Sequence, residues 1–99
     1  MQKGGYIYIM TNANKTTLYI GVTSNLPKRI HEHKTHIFKN SFSARYNLEL
    51  LVYYETFERI ELAIARETEI KKWNRAKKET LINGLNPEWD DLSGGISNY

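Results

Sequence analysis

The chain of 99 residues has no cysteine, two prolines, and no apolar run approaching the roughly 20 residues that a membrane-spanning helix needs. Without cysteine there can be no disulfide framework, thiolate zinc site or cysteine nucleophile. The opening Met1-Gln2-Lys3-Gly4-Gly5 leads into tyrosine-rich sequence and lacks the apolar core of a signal peptide. The expectation is a cytoplasmic protein with no membrane association. Basic residues are missing from the end of the chain: beyond Lys78 there is no lysine or arginine, while Glu79, Glu88, Asp90 and Asp91 all fall there. The net charge of +3 therefore conceals a strongly basic body in residues 1–78, which hold all 14 lysines and arginines. Such a body attracts polyanions, nucleic acid first among them. Hydrophobic residues at 40% and charged residues at 25% are those of an ordinary folded globule and exclude a disordered tail. The length allows one domain over 1–99, with a core over about 5–83 and a C-terminal tail over 84–99.

Residues 6–11 and 17–23 are aromatic and β-branched and read as two strands, joined by the turn residues Asn12 to Thr16 into a hairpin. A symmetric register places Ile7 opposite Ile20 and Tyr8 opposite Tyr19. Ser24 or Asn25 caps a helix with Pro27 in its first turn, running to about residue 36. Leu26, Ile30 and Ile37 make its buried stripe, with His33 on that stripe and Arg29 beside it. Residues 38–46 read as a loop, and 47–55 as a third strand apolar enough to be central or covered. A second helix follows over 59–73 and a third over 75–83, the latter ending at Gly84 as its C-cap. Residues 86–92 pack through Trp89, and 93–99 form a frayed end. The fold class is α+β: a three-stranded antiparallel sheet flanked by helices in the order ββαβαα.

On the second helix Ile60, Ala63, Ile64 and Ile70 converge on one face, and Glu67 falls in the middle of it. An ionised carboxylate there is costly unless paired, protonated or bound to a metal. Glu61 and Glu69 point elsewhere and read as solvated. Taken singly, the notable residues have ordinary accounts. Tyrosines are good strand formers, a histidine beside an apolar stripe is usually a satisfied core residue, and Glu67 could pair with Arg29. A run of lysines is usually a solvated helix surface.

Their order changes the weighing. Tyr6-Ile7-Tyr8, then Tyr19-Ile20-Gly21, then Asn25-Leu26-Pro27-Lys28-Arg29-Ile30 with His33 four residues after Arg29, then Ala65-Arg66-Glu67, resembles the GIY-YIG nuclease family. A Tyr-Ile-Gly tripeptide alone would be weak evidence, but four ordered elements at compatible spacings are specific. The match spans roughly residues 5–83. It looks most like the small stand-alone bacterial members and the N-terminal nuclease domain of the excision-repair incision subunit.

This resemblance implies the same fold, and a function residue by residue. Tyr8, Tyr19, Arg29 and His33 take the catalytic positions, Glu67 that of the metal-binding glutamate, and Gly21 that of a glycine letting the backbone turn into the following loop. The implied cofactor is one Mg²⁺ or Mn²⁺ ion, and the implied partner is DNA, with RNA also open. The implied activity is endonucleolytic hydrolysis with low intrinsic sequence specificity, in DNA repair or recombination. Any specificity would come from a protein partner, and the chain would be a monomer or weak dimer. Lys28, Lys34, Lys71, Lys72, Arg75, Lys77 and Lys78 are the candidate DNA contacts. The sequence departs from the family in having Tyr6 for the first glycine and Val22 where some members carry lysine. A further active-site asparagine has only Asn83 and Asn86 as candidates. Tyr8 is the first choice for general base, exchangeable with Tyr19, and His33 would orient a tyrosine or carry the proton. The alternative, from another class, is a nucleic-acid-binding module of the same fold with little or no catalysis.

Overall fold

Asn12 governs the first hairpin. Its Oδ1 accepts the backbone N–H groups of Thr16 and Thr17 at 2.9 and 3.0 Å, and Thr11 Oγ1 donates to the Thr17 carbonyl at 2.7 Å. Those amides are lost to the strand ladder, which starts with Thr11 opposite Leu18. In the computed structural model, which describes residues 4–96 apart from 38 and 40, β1 is Gly5–Thr11 and β2 is Leu18–Thr23. They pair two residues away from the symmetric register, with Ile7 opposite Val22, Tyr8 opposite Gly21 and Met10 opposite Tyr19. The displacement is even, so every side chain keeps its expected face.

The third strand, β3 (Leu50–Phe57), pairs antiparallel with the other edge of β1, giving the order β2-β1-β3. It is thus an edge strand, covered but not central. Ile9 lies opposite Tyr53 and Met10 opposite Leu51, which leaves Val52 as a bulge. The extra residue lets both Val52 and Tyr53 join one core.

Helix α1 (Leu26–Lys34) begins with Asn25 accepting the Lys28 N–H at 3.2 Å and Pro27 in the first turn. It stops short of the expected end, at the cap Thr35, and His36 takes a φ of 53°. Ile37 is thereby thrown out of helical phase and is 60% exposed, against its expected place in the buried stripe. The expected loop contains a one-turn helix, α2 (Phe42–Arg45), capped by Ser41, while residues 38 and 40 lie outside the described residues.

Helices α3 (Ile60–Lys71) and α4 (Arg75–Leu85) cover the face of the sheet that carries Ile7, Ile9, Ile20, Val52 and Tyr53. Gly5 lets α3 approach: a Cβ there would stand 2.9 Å from Ile60 Cα and 3.0 Å from Ala63 Cβ. Ile64 is exposed, because at about 100° per residue it falls at the margin of a stripe centred on Ala63 and Ile70. Gly84 is inside α4, and Asn86 is the cap.

The opposite face of the sheet carries Tyr8, Met10 and Leu51, closed by Leu26 and Ile30 of α1. The C-terminal tail, whose Trp89 packs on the first core as expected, closes it further. Asp91 pairs with Lys34 at 2.5 Å and accepts the Leu51 N–H at 3.1 Å, while Leu92 and Ile96 pack on this core around a 3-10 turn at Leu92–Gly95. Burial alone would raise the Asp91 pKa, but Lys34 and the N–H groups of Ser93 and Leu51 hold it below the usual carboxylate range. Residues 93–96 therefore belong to the fold, and the expected frayed residues 97–99 lie outside the described residues.

Candidate active site

Tyr8, projecting from the central strand, is almost wholly buried, and the vacancy that admits its ring is Gly21 on the neighbouring strand. A Cβ on Gly21 would overlap Tyr8 Cζ and Oη and come within 2.8 Å of Cε1. Among the described glycines none has a positive φ. Gly21 is needed for space, not for the turn that was expected of it. The diagonal neighbour Tyr19 shares the face, its ring centroid 6.2 Å from that of Tyr8.

His33 completes a triangle of rings, 5.6 Å from Tyr8 and 5.5 Å from Tyr19 between centroids. The Tyr8 Oη and His33 Nε2 are hydrogen-bonded at 2.9 Å in the interior, and His33 Nδ1 is buried without a partner among the described residues. Burial, then repulsion from Tyr19, raises the Tyr8 phenol pKa well above its ordinary value, although the Arg29 cation and its hydrogen bond oppose this. Burial and the Arg29 cation push His33 down to about 4, partly offset by Glu32. At neutral pH the pair is a phenol and a neutral imidazole, so one hydrogen lies between two groups that both resist charge.

Arg29 comes from the first turn of α1, on the rim of a cleft also lined by Thr23, Ser24, Asn25, Lys28 and Glu32. Its Nη1 donates to Glu32 Oε1 at 3.2 Å. Burial would lower its pKa, but Tyr8, Glu32 and Tyr19 together raise it, so the guanidinium is firmly charged. Glu32 escaped the sequence reading, although its position three residues after Arg29 is a detectable signal.

Glu67 sits differently. It lies on α3, which packs on the opposite face of the sheet from α1, and its side chain is 16% exposed with Lys71 Nζ at 3.4 Å. Its pair is therefore Lys71 and not Arg29. Among the described residues no hydrogen bond or ion pair joins Glu67 to the tyrosines, and no group of three or more His, Asp or Glu side chains could hold a metal. A lone carboxylate of this kind fits a hard ion that retains most of its waters, and does not fit an all-protein cage.

A model of the GIY-YIG catalytic domain matches residues 4–80, which contain all of these side chains. The chain belongs to the GIY-YIG family. Its membership places it in a superfamily of nucleases. Two relatives are UPF0213 proteins. One, of Natronomonas pharaonis, is 39% identical over 78% of this chain and 88% of its own length. The other, of Syntrophus aciditrophicus, is 36% identical over 84% and 93%. The solution NMR structure of the UPF0213 protein of Bacillus halodurans superposes with a TM-score of 0.56 at 25% identity, covering 97% of this chain and 99% of that one. The chain spans most of the length of each of these UPF0213 proteins.

The cations of this GIY-YIG domain have unequal freedom. Lys28 and Lys72 are exposed, Lys71 faces Glu67, and Lys78 is half-buried. Lys34 is held by Asp91, and the Lys77 ammonium lies 4.3 Å above the Trp73 ring. Arg75 is a strut: it donates to Glu79 and to the carbonyls of Lys15 and Thr16, each at 2.7 Å, tying the β1–β2 loop to α4. The two asparagine candidates are also committed. The Asn86 amide donates to the carbonyls of Val52 and Asp90 and accepts the Asp90 N–H. Asn83 Oδ1 accepts from the Trp89 indole at 2.6 Å. On the far face Arg66 grips Glu55 through Nε and Nη2 at 3.0 and 3.1 Å and bonds Glu69 at 2.7 Å, anchoring α3 to β3. No helix among the described residues is long and apolar enough to cross a membrane.

Proposed function

We propose that this protein is a metal-dependent endonuclease that hydrolyses phosphodiester bonds of DNA with little intrinsic sequence preference, in repair or recombination. The observation that carries the reading is the convergence of Tyr8, Tyr19, His33 and Arg29 on one face of the sheet in a chain of the GIY-YIG family. In this reading Arg29 meets a non-bridging phosphate oxygen with its planar fork, which Glu32 holds in orientation. A water lying against Tyr8 gives its proton to Oη as the phenol passes its own to His33 Nε2, a transfer that needs the Nδ1–H tautomer. No free phenolate has to form. Burial and the Arg29 cation disfavour the resulting imidazolium, so the proton returns through Nε2 and the Tyr8 hydroxyl to solvent.

Glu67 is the residue that would hold a Mg²⁺ or Mn²⁺ ion. Such an ion would supply Lewis acidity for phosphodiester hydrolysis. Lys28, Lys71, Lys72, Lys77 and Lys78 supply attraction for the backbone, whereas Lys34 and Arg75 serve the fold.

The test is nicking of supercoiled plasmid with Mg²⁺, with Mn²⁺ and with chelator, comparing wild type and Tyr8→Phe. Nicking that needs both the ion and Tyr8 supports the reading, and nicking in chelator refutes metal dependence. Binding without nicking at any metal concentration identifies a nucleic-acid-binding module instead.

A further inference from the structure

A row of aromatic rings runs from buried Tyr8 out to solvent. Tyr19 stacks on Phe42 with centroids 5.7 Å apart and 30° between the planes, and Phe42 meets Tyr46 at 4.6 Å. The inner rings belong to the site described above. Phe42 and Tyr46 are a different matter: they are 46% and 42% exposed, on and just after the one-turn helix α2. Core formation does not explain them, since rings left facing water forgo the burial that stabilises the interior. Nor are they loosely placed, because Ser41 Oγ caps the turn by accepting the Ala44 N–H at 3.3 Å and Tyr19 backs the Phe42 ring. Exposed cations, Lys39 and Arg45, lie on the same segment.

Aromatic faces flanked by positive charge are what a nucleobase stacks upon, while the charge follows the backbone. A base inside a duplex has both faces covered by its neighbours and cannot use such a platform. We propose that Phe42 and Tyr46 form a stacking subsite for an unpaired base of a DNA strand, next to the phosphate held at Arg29. The protein thereby favours strands with unpaired nucleotides at the point of attack. This rests on the nucleic-acid reading of the site, but its test does not rest on catalysis.

The probe is an oligothymidylate carrying one 2-aminopurine, single-stranded or annealed to its complement, titrated in chelator so that binding is read without metal-dependent cleavage. Wild type should quench the single strand and bind it more tightly than the duplex. Phe42→Leu and Tyr46→Leu keep apolar packing without a planar face. Each should lose on the order of tenfold in single-strand affinity, with duplex affinity within about twofold, and Phe42→Trp should restore it. Melting curves confirm that each variant is folded. Unchanged single-strand affinity in both leucine variants overturns the proposal. So does an oligomer that dissociates on replacing Phe42 while DNA binding stays constant, since the patch would then be a contact between copies. Quenching by a protein that never nicks plasmid refutes the nuclease reading and leaves the subsite standing. Nicking without preferential single-strand binding refutes the subsite alone.

Discussion

The Tyr8 hydroxyl and His33 Nε2 share a 2.9 Å hydrogen bond inside the protein, between two groups that their surroundings hold uncharged. A phenol driven up by burial is not a standing base, so the proposed role of Tyr8 runs through its hydrogen bond to His33. Replacing Tyr8 by Phe keeps the ring over Gly21 and removes the relay. The expected outcome is a loss of nicking rate of about 10² or more with DNA affinity retained. His33 Nε2 is left unpartnered, at a stability cost of about 1–3 kcal/mol. Single-turnover nicking and a binding titration on one preparation check this.

His33 also makes stability sensitive to acid. With the folded-state pKa near 4 and the unfolded value at 6.5, the unfolded chain binds the extra proton between those values. Stability should therefore fall as pH drops from 6.5 towards 4, by at most about 1.4 kcal/mol per pH unit from this group, and should owe nothing to it above that window. Asp91 and Glu55, whose carboxyls are held low, contribute stability that is lost at still lower pH. Urea melts of wild type and His33→Gln at pH 4.5, 5.5 and 7 should show a flatter profile for the variant. Parallel profiles would remove His33 as the source.

Gly21→Ala introduces a methyl where the Tyr8 phenol lies. Overpacking of this kind typically costs about 1–3 kcal/mol. The double change Gly21→Ala with Tyr8→Ala should recover most of the stability lost to the methyl, because the clash is with that ring. Chemical denaturation of the four proteins in the cycle gives the coupling directly. An additive result would mean that the glycine serves the backbone instead.

Glu67 pairs with a half-exposed lysine one turn away, an arrangement worth about 0.3–0.5 kcal/mol. Glu67→Gln should accordingly melt within a degree or two of wild type. It should still bind DNA, yet fail to nick it at any Mg²⁺ or Mn²⁺ concentration and bind Mn²⁺ more weakly by calorimetry. Early melting or residual cutting would remove the residue from the metal role.

Two neighbouring cations should behave oppositely. Arg75→Gln gives up bonds to Lys15 and Thr16 and should lower stability by about 1–3 kcal/mol with little change in the salt dependence of DNA binding. Lys72→Gln should leave stability alone and reduce the slope of log affinity against log salt by up to about one unit.

Residue types and their spacing determined more of this protein than any single contact did. The β-branched and aromatic runs at Tyr6 and Leu18, the Asn25–Pro27 helix start, and the apolar spacing from Ile60 to Ile70 all act within a few residues, so element types and order were legible. The face shared by Tyr8, Tyr19, Arg29 and His33 was legible too, because strand and helix periods carry it. What tertiary structure decided depends on partners from elsewhere in the chain or on where an element stops. Asn12 withdrew two amides and moved the hairpin register by two, placing Tyr8 over Gly21. Thr35 and His36 ended α1 early and put Ile37 in water. Asp91 found Lys34 and the Leu51 amide, turning an expected tail into a strap. Glu67 lay on the apolar stripe by sequence, yet where α3 crosses the sheet left it half-buried beside Lys71. Local periodicity fixes direction around an axis, but burial is settled by what packs against that axis, and no short window contains it.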